Sequence, residues 1–463
     1  MDIELFVTRG LGDATYLLGS EGEAALVDPQ RDADRFIVAA ESRGWRISHV
    51  LETHVHNDYL SGALAVRDRT GAEIVAPARG GYGFAHRPAD EGDVVEVGGL
   101  RIVARATPGH TPEHLSWDIH PTDAPVPAAI LTGGSLLAGS VGRTDLLGRD
   151  RTAELTAAQF RSLRRLADLP DDVRILPTHG SGSFCSAGPV IRERATTLGA
   201  ERARNPLLAA PDEPTFAAAL LAGLGEYPAY YAHMGPMNRA GPPPIGPIAD
   251  APRLDPAGTA VAVAAGVTVV DARDRHAFAD AHIPGALNIE LDETFAAYVG
   301  WLVPFAAPLV LVLPEPVGAA EREAVVQLLR IGFDDVRGIL DGGLDAWQAD
   351  GRAVDAFPTV GARTVVEEQV GGAILDLLDV RQPIEWRDEG SVPGSRRIFV
   401  ADLPAHLAEL PRDHEITVFC KSGARASIAG SLLAAAGVPV RVVAEGGIGA
   451  WRRAAAASVP AGR

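Results

Sequence analysis

The stretch LETHVHNDYLSGA, residues 51–63, sets His54, His56 and Asp58 at alternate positions directly after the strand-like run ISHVLE. Three side chains with free lone pairs within five positions, leaving the end of a strand, form the kind of loop that can close on one cation. Companions follow downstream: ATPGHTPEHLSW carries His110, LTGGSLLAGSVGRTDL carries Gly134, and LPTHGSGSFCS carries His179. Each comes after a β-rich run (LRIVARAT, AAILTG and VRILPT), so the loops are expected to gather at one end of a sheet sandwich. AALVDP (24–29) and AEIVAP supply further strands. DADRFIVAAESRG (32–44) reads as a capped helix ending at glycine, and TAELTAAQFRSLRRLAD (152–168) as a helix with Thr152 as its N-cap.

With 463 residues the chain is too long for one ordinary core, and about 100–200 residues per domain gives roughly three. It is 47% hydrophobic and 22% charged, as globular proteins are. Its net charge of −18 leaves no basic patch to collect nucleic-acid phosphates or anionic lipid. The uncharged run from Val126 to Gly142 is broken by Pro127 and by glycines, so no membrane span is expected. The opening residues MDIELFVTRG lack the basic and apolar blocks of a secretory signal, which predicts a cytoplasmic protein. Two cysteines, Cys185 and Cys420, argue against a disulfide framework and leave room for a thiol with its own role. Lys421, the sole lysine in a chain that otherwise uses arginine, sits beside Cys420.

Residues 225–258 are dense in proline and glycine and read as a long connection between domains, with Tyr227, Tyr230 and Tyr231 packing onto a neighbour. Beyond it the sequence repeats. VTVVDARDRHAFADAHIPGALNI (267–289) is echoed by ILDLLDVRQPIEWRDEGSVPGSRRI (374–398), and ILDGGLDAW (339–347) by VAEGGIGAW (443–451). Two copies of an α/β unit of about 100 residues follow, a size that folds by itself.

In the second copy EITVFC delivers Cys420 into CKSGARAS, and IAGSLLAAAG then reads as a helix. A cysteine between a strand end and a helix N-terminus, with Lys421 and Arg425 close by, is expected in a positive field that favours thiolate. In a Cys-x4-Arg loop the backbone N–H groups curl into a small anion nest, aided by Gly423. These residues resemble the rhodanese family of sulfurtransferases. So do the strand ends Asp271/Arg273 and Asp379/Arg381, the turns HIPGA and SVPGS, and the Gly-Gly-x-x-x-Trp closings. The resemblance implies that Cys420 carries sulfane sulfur as a persulfide, with Lys421, Gly423 and Arg425 supporting it and Ser422 and Ala424 lining the cradle. The first copy has Leu313-Pro314-Glu315-Pro316 where the thiol loop should be, which removes two N–H donors and adds a carboxylate. It is expected to be inactive, a structural partner of its sibling.

The histidine loop and its companions resemble the metallo-β-lactamase fold, in particular the glutathione-linked persulfide dioxygenases and thioester hydrolases. Fusion with rhodanese-like copies favours the persulfide branch. In that family the loop runs His-x-His-x-Asp-His and a TGD aspartate completes the site; here those places hold Tyr59 and Gly134. The resemblance implies metal ligands among His54, His56, His110 and His179, with Asp58 as a base and Tyr59 orienting substrate. Three arrangements stay open: a His54–His56–His110 zinc site, an Fe(II) site in which Asp58 or another carboxylate turns inward, or an empty site. Arg143 and Asp145 in GSVGRTDL are expected to pair and fix their loop. Cys185 is expected to be an ordinary loop thiol, with a second persulfide-accepting role as the other reading.

The expected architecture is therefore α/β and multidomain. A metallo-β-lactamase-like αββα sandwich with its connection (1–245) precedes a rhodanese-like domain without the cysteine (255–355) and one with Cys420 (362–460), both built on parallel sheets. The expected partners are glutathione persulfide or similar small thiols and persulfides, thiosulfate, and another copy of the chain in a homo-oligomer. A zinc-dependent glutathione thioester hydrolase and a non-catalytic platform attached to a rhodanese are the alternatives.

Overall fold

Ala25 and Val27 face one way from their strand while Ala24 and Leu26 face the other, and all four are fully buried. The period of two therefore serves two different cores, as in a sheet covered on both faces. The computed structural model describes residues 1–121, 124–188 and 191–458. The chain divides into two compact units, Met1–Ala249 with Leu328–Gly332, and Asp250–Gln327 with Phe333–Arg463.

The first unit holds two six-stranded sheets and a small three-stranded one. Ala14, Tyr16, Val27, Ile102, Trp117 and Leu131 pack between the large sheets. Helices Asp34–Ser42 and Ala63–Thr70 cover one outer face through Phe36, Ile37 and Leu64, and helix Arg149–Ala167 covers the other through Leu163 and Leu166. The layers are αββα. Strand Arg46–Leu51 runs parallel between Glu23–Val27 and Glu73–Pro77, so its end projects the residues that follow it to the same side as Asp28.

Three local readings are corrected. Helix Arg149–Ala167 starts one turn before Thr152, whose hydroxyl donates back to the Gly148 carbonyl instead of capping. The first helix has no side-chain cap, because Asp32 is drawn to Arg35 at 2.9 Å. Within the supposed connection, Tyr231–Ala240 forms a helix in spite of Pro236, and buries Tyr231, Met234 and Asn238 in the first unit. Its burial and hydrogen bonding offset the amide that proline removes.

The second unit contains two five-stranded parallel sheets of one design. Their strand orders are Arg253–Leu254, Val336–Leu340, Leu309–Val312, Thr268–Asp271, Leu287–Asn288, and Thr359–Gly361, Val440–Glu445, Ile416–Phe419, Asp376–Asp379, Arg396–Arg397. The central strands LVLV and ITVF are buried along their whole length. No helix among the described residues is long and apolar enough to cross a membrane.

Candidate functional sites

Strand ends in the first unit bring five histidines and four carboxylates into one buried cluster. Asp28 ties the ends together: it accepts the Thr53 N–H and hydroxyl, each at 2.8 Å, and the Thr178 hydroxyl. His54 and His179 present Nε2 atoms to each other at 3.3 Å. Behind them, His179 Nδ1 lies 2.8 Å from Asp13 Oδ1 and 3.2 Å from Asp58 Oδ2, and His54 Nδ1 contacts the Thr53 hydroxyl at 2.7 Å. His110 fixes Nδ1 on the Arg143 carbonyl at 2.7 Å and leaves Nε2 buried without a partner. His56 turns Nε2 to Tyr59 Oη, Glu52 and Asp28 at 3.0, 3.2 and 3.3 Å, and its Nδ1 is likewise unpartnered.

Burial depresses the His54 imidazole well below its ordinary range, with His56 and His110 adding to the effect. Burial and then His179 press His110 down to about 3, so its nitrogen keeps a lone pair. For His179 burial acts downward, but Asp58 and Asp13 outweigh it and hold the imidazolium up to about 10. His56 is raised in the same way, against burial, by Asp28 and Glu52. Burial and the neighbouring Asp58 lift Asp13 to about 7.

His54, His110 and His179 have ligand atoms within 4.8 Å of one another, as do His56, Asp58 and His179, and Asp28, His54 and His56. The grouping His54–His56–His110 anticipated from the sequence is not among these sets, because His179 takes the place beside His54. Two nitrogens held 2.0–2.1 Å from a tetrahedral ion stand about 3.3–3.4 Å apart, and the His54–His179 spacing matches. A buried unpaired polar atom costs roughly 1–3 kcal/mol; His56 Nδ1, His110 Nε2 and Asp58 Oδ1 are such atoms, and a cation would satisfy them. The residues fit one divalent ion.

The two departures have structural causes. A Cβ on Gly134 would stand 2.2 Å from His110 Cδ2, so the histidine ring occupies the space an aspartate side chain would need. Tyr59 stacks on His56 with ring centroids 4.4 Å apart and donates to the Asp28 carbonyl at 3.1 Å. Its role here is to fill and brace. Asn238, from the helix hidden in the supposed connection, donates to the His56 and Tyr59 carbonyls at 2.8 Å each and accepts the Ser61 N–H at 2.9 Å. Tyr230 donates to the Asp58 carbonyl at 3.0 Å. Arg143 pairs with Asp145 at 2.7 Å, as expected for a loop brace. Cys185 is buried 3.9 Å from Tyr231 Oη, and burial pushes its thiol well above the usual range.

In the second unit, strand Ile416–Phe419 delivers Cys420 to the start of helix Ala424–Ala435, with Gly423 between them at φ 116°. The Gly423 N–H donates to Cys420 Sγ at 3.1 Å, so the buried thiol points into its loop. Ser422 is exposed, and Ala424 opens the helix. Of the positive field expected from the sequence, the helix start remains, and the two cations are paired with carboxylates. Arg425 is forked onto Glu385, with Nη2 to Oε1 at 2.9 Å, and Lys421 lies 3.4 Å from Glu389. From the first copy, Arg275 donates to the Ser422 carbonyl at 3.0 Å, and Asn288 accepts the Ser427 hydroxyl at 2.6 Å. Asp13, Asp28, Glu52, Asn238, Arg275 and Glu385 were missed as site residues, as was the fifth histidine of the cluster, His114, whose Nε2 accepts the Gly134 N–H at 2.9 Å.

Residues 9–179 match the metallo-beta-lactamase superfamily model, and residues 260–350 and 363–454 match the rhodanese-like domain. A hydroxyacylglutathione hydrolase of Maricaulis maris is 32% identical over 225 residues, covering 43% of this chain and 82% of that protein. The chain belongs to the metallo-beta-lactamase superfamily. It joins that domain to two rhodanese-like domains. A second hydroxyacylglutathione hydrolase, from Cereibacter sphaeroides, is 34% identical over 188 residues, 39% of this chain and 67% of its own. Among solved structures, a metallo-beta-lactamase from Staphylococcus aureus matches at TM-score 0.66 and 28% identity, covering 73% of this chain and 98% of that one.

Proposed function

We propose that this protein handles sulfane sulfur and that Cys420 is the atom carrier. The observation that carries the reading is the Gly423 N–H aimed at Cys420 Sγ at 3.1 Å, at the head of a 12-residue helix. An amide and a helix N-terminus both favour negative charge on that sulfur and on a second sulfur attached to it. In the first half-reaction the Cys420 thiolate attacks the outer sulfur of a persulfide R–S–SH. The S–S bond breaks, R–S⁻ leaves with the electron pair, and Cys420 becomes the persulfide. An acceptor thiolate then attacks the terminal sulfur and releases Cys420 unchanged, so the cycle has no net redox change.

In the metallo-beta-lactamase domain we assign His54, His110 and His179, with His56 and Asp58, as the residues that would hold one ion, Fe(II) or zinc. Such an ion supplies Lewis acidity and open positions for small ligands. The chain's own contribution is orientation: Asp13 and Asp58 hold His179, Asp28 and Glu52 hold His56, and Asn238 fixes the loop between them. The reading is a persulfide-oxidising centre feeding or fed by the same small thiol persulfides, glutathione persulfide first. Thioester hydrolysis is the second reading, favoured by the 32% identity to a hydroxyacylglutathione hydrolase. Metal content after anaerobic purification, with oxygen uptake on glutathione persulfide and thioester release without oxygen, separates the two. Iron with oxygen uptake supports oxidation; zinc with oxygen-independent thioester release supports hydrolysis and removes the oxidation reading. Sulfur transfer persisting at full rate in Cys420→Ser would remove the carrier.

A further inference from the structure

Both cations of the thiol loop are already engaged by carboxylates. Arg425 gives its fork to Glu385, with the two side chains only 13% and 17% exposed. Lys421 faces Glu389, whose other oxygen takes Arg381 at 3.1 Å. Arg275, which reaches the Ser422 carbonyl, is itself paired with Glu290 at 2.6 Å. What the loop offers a ligand without displacing an ion pair is backbone N–H groups, of which that of Gly423 already points at Cys420 Sγ. A sulfonate asks for more. Its oxygens are best met by a free guanidinium fork or ammonium group, and a dianion brought to this loop would have to displace Glu385 from Arg425 or Glu389 from Lys421 to gain one.

We infer that the sulfur donor for Cys420 is an organic persulfide, whose sulfur group carries at most a single negative charge, and that Glu385, by occupying Arg425, is the residue that discriminates against thiosulfate. This rests on the sulfur-transfer reading above. With a persulfide, Cys420 takes the outer sulfur and R–S⁻ departs; with thiosulfate, the departing group would be sulfite, whose oxygens would have to compete with Glu385 for Arg425.

The test is steady-state sulfur transfer to a thiol acceptor by the full chain, with glutathione persulfide and thiosulfate compared in wild type, Glu385→Gln and Glu389→Gln. Expected is a kcat/KM at least about tenfold higher for the persulfide in wild type. In each variant the ratio of thiosulfate to persulfide should rise several-fold through a lower KM for thiosulfate. A purely structural role for Glu385 would lower both donors together and leave the ratio in place. Glu389→Gln, whose lysine partner is exposed, carries the test if Glu385→Gln does not fold. Thiosulfate used as well as persulfide by wild type, or a ratio unmoved in the folded variants, overturns the inference. A wild-type protein that moves sulfur from neither donor removes the sulfur-transfer reading and this inference with it.

Discussion

The two rhodanese-like domains share one sheet plan and differ at one loop. Strands Leu309–Val312 and Ile416–Phe419 occupy the same place in their sheets and are equally buried. After the first comes Leu313-Pro314-Glu315-Pro316; after the second comes Cys420-Lys421-Ser422-Gly423. In the first domain the Glu315 carboxylate accepts the Val317 N–H at 3.1 Å, so the start of helix Val317–Arg330 is met by a charge of its own chain. In the second the equivalent helix start faces a sulfur. The scaffold does not require the chemistry. A parallel sheet and its helices set where the loop emerges, and a few residues then decide whether the helix end is spent internally or offered to a ligand.

The largest effect expected from breaking this contrast is at the carrier itself. Cys420→Ser should lower sulfurtransferase activity by roughly a thousandfold or more, read with glutathione persulfide, while the fold measured by circular dichroism stays intact. The reciprocal change, Leu313→Cys, should confer no activity when combined with Cys420→Ser, because Pro314 and Pro316 lack the amides a curled loop needs. Transfer by that double variant would show that the loop backbone is dispensable.

Next in size is Gly423→Ala. At φ 116° a side chain is strained, and its Cβ would stand 2.1 Å from the Ala444 carbonyl and 2.4 Å from Arg275 Nη1. Strain of this kind costs about 1–3 kcal/mol, and relief would swing the 423 amide off the sulfur. Activity is expected to fall about a hundredfold, with a lower midpoint in thermal unfolding. A variant with full activity would separate the amide from catalysis.

These loops were legible because their information is local. A thiol, a glycine and the Asp-x-Arg strand ends sit within short windows, and a change of two prolines is visible by eye. What joins loops across the fold was not. Glu385 lies 40 residues from Arg425, and Asn238 lies 182 residues from the His56 carbonyl it holds. The helix bearing Asn238 contains Pro236 and Gly235, so propensity alone argues against it, and packing decides otherwise. Likewise the sequence shows Gly134 without showing that His110 lies over it.

That last contact makes the metallo-beta-lactamase domain a third case, altered like the first rhodanese-like domain yet still rich in donors. His110→Ala is expected to lower bound metal at least about tenfold, since loss of one ligand of three weakens both affinity and geometry. Gly134→Asp, which would restore a carboxylate on paper, should lower metal content too, because its Cβ collides with the His110 ring. Metal analysis of anaerobically purified protein reads both. A rise in metal for Gly134→Asp would mean that the ring moves easily and that the domain is closer to its relatives than the packing implies.

The smallest expected effect probes whether the domain without the cysteine helps the one that carries it. Arg275 reaches out of the first rhodanese-like domain to the Ser422 and Ala444 carbonyls at 3.0 and 3.4 Å, while Glu290 holds its other side. The position that corresponds to it in the second domain, counted from the matching aspartates, is Pro383, which begins a helix and has no donor to return. At this position support therefore runs one way. Arg275→Ala should slow sulfur transfer several-fold and raise the rate at which Cys420 is alkylated by iodoacetamide, because the 422 carbonyl loses its tether and the loop opens. Stability should drop by about 1.5–3 kcal/mol, the net worth of a hydrogen bond to a charged group after solvent is counted. Arg275→Lys, which keeps the charge and loses the fork, should fall between. Unchanged alkylation in both variants would make the first domain a passive neighbour.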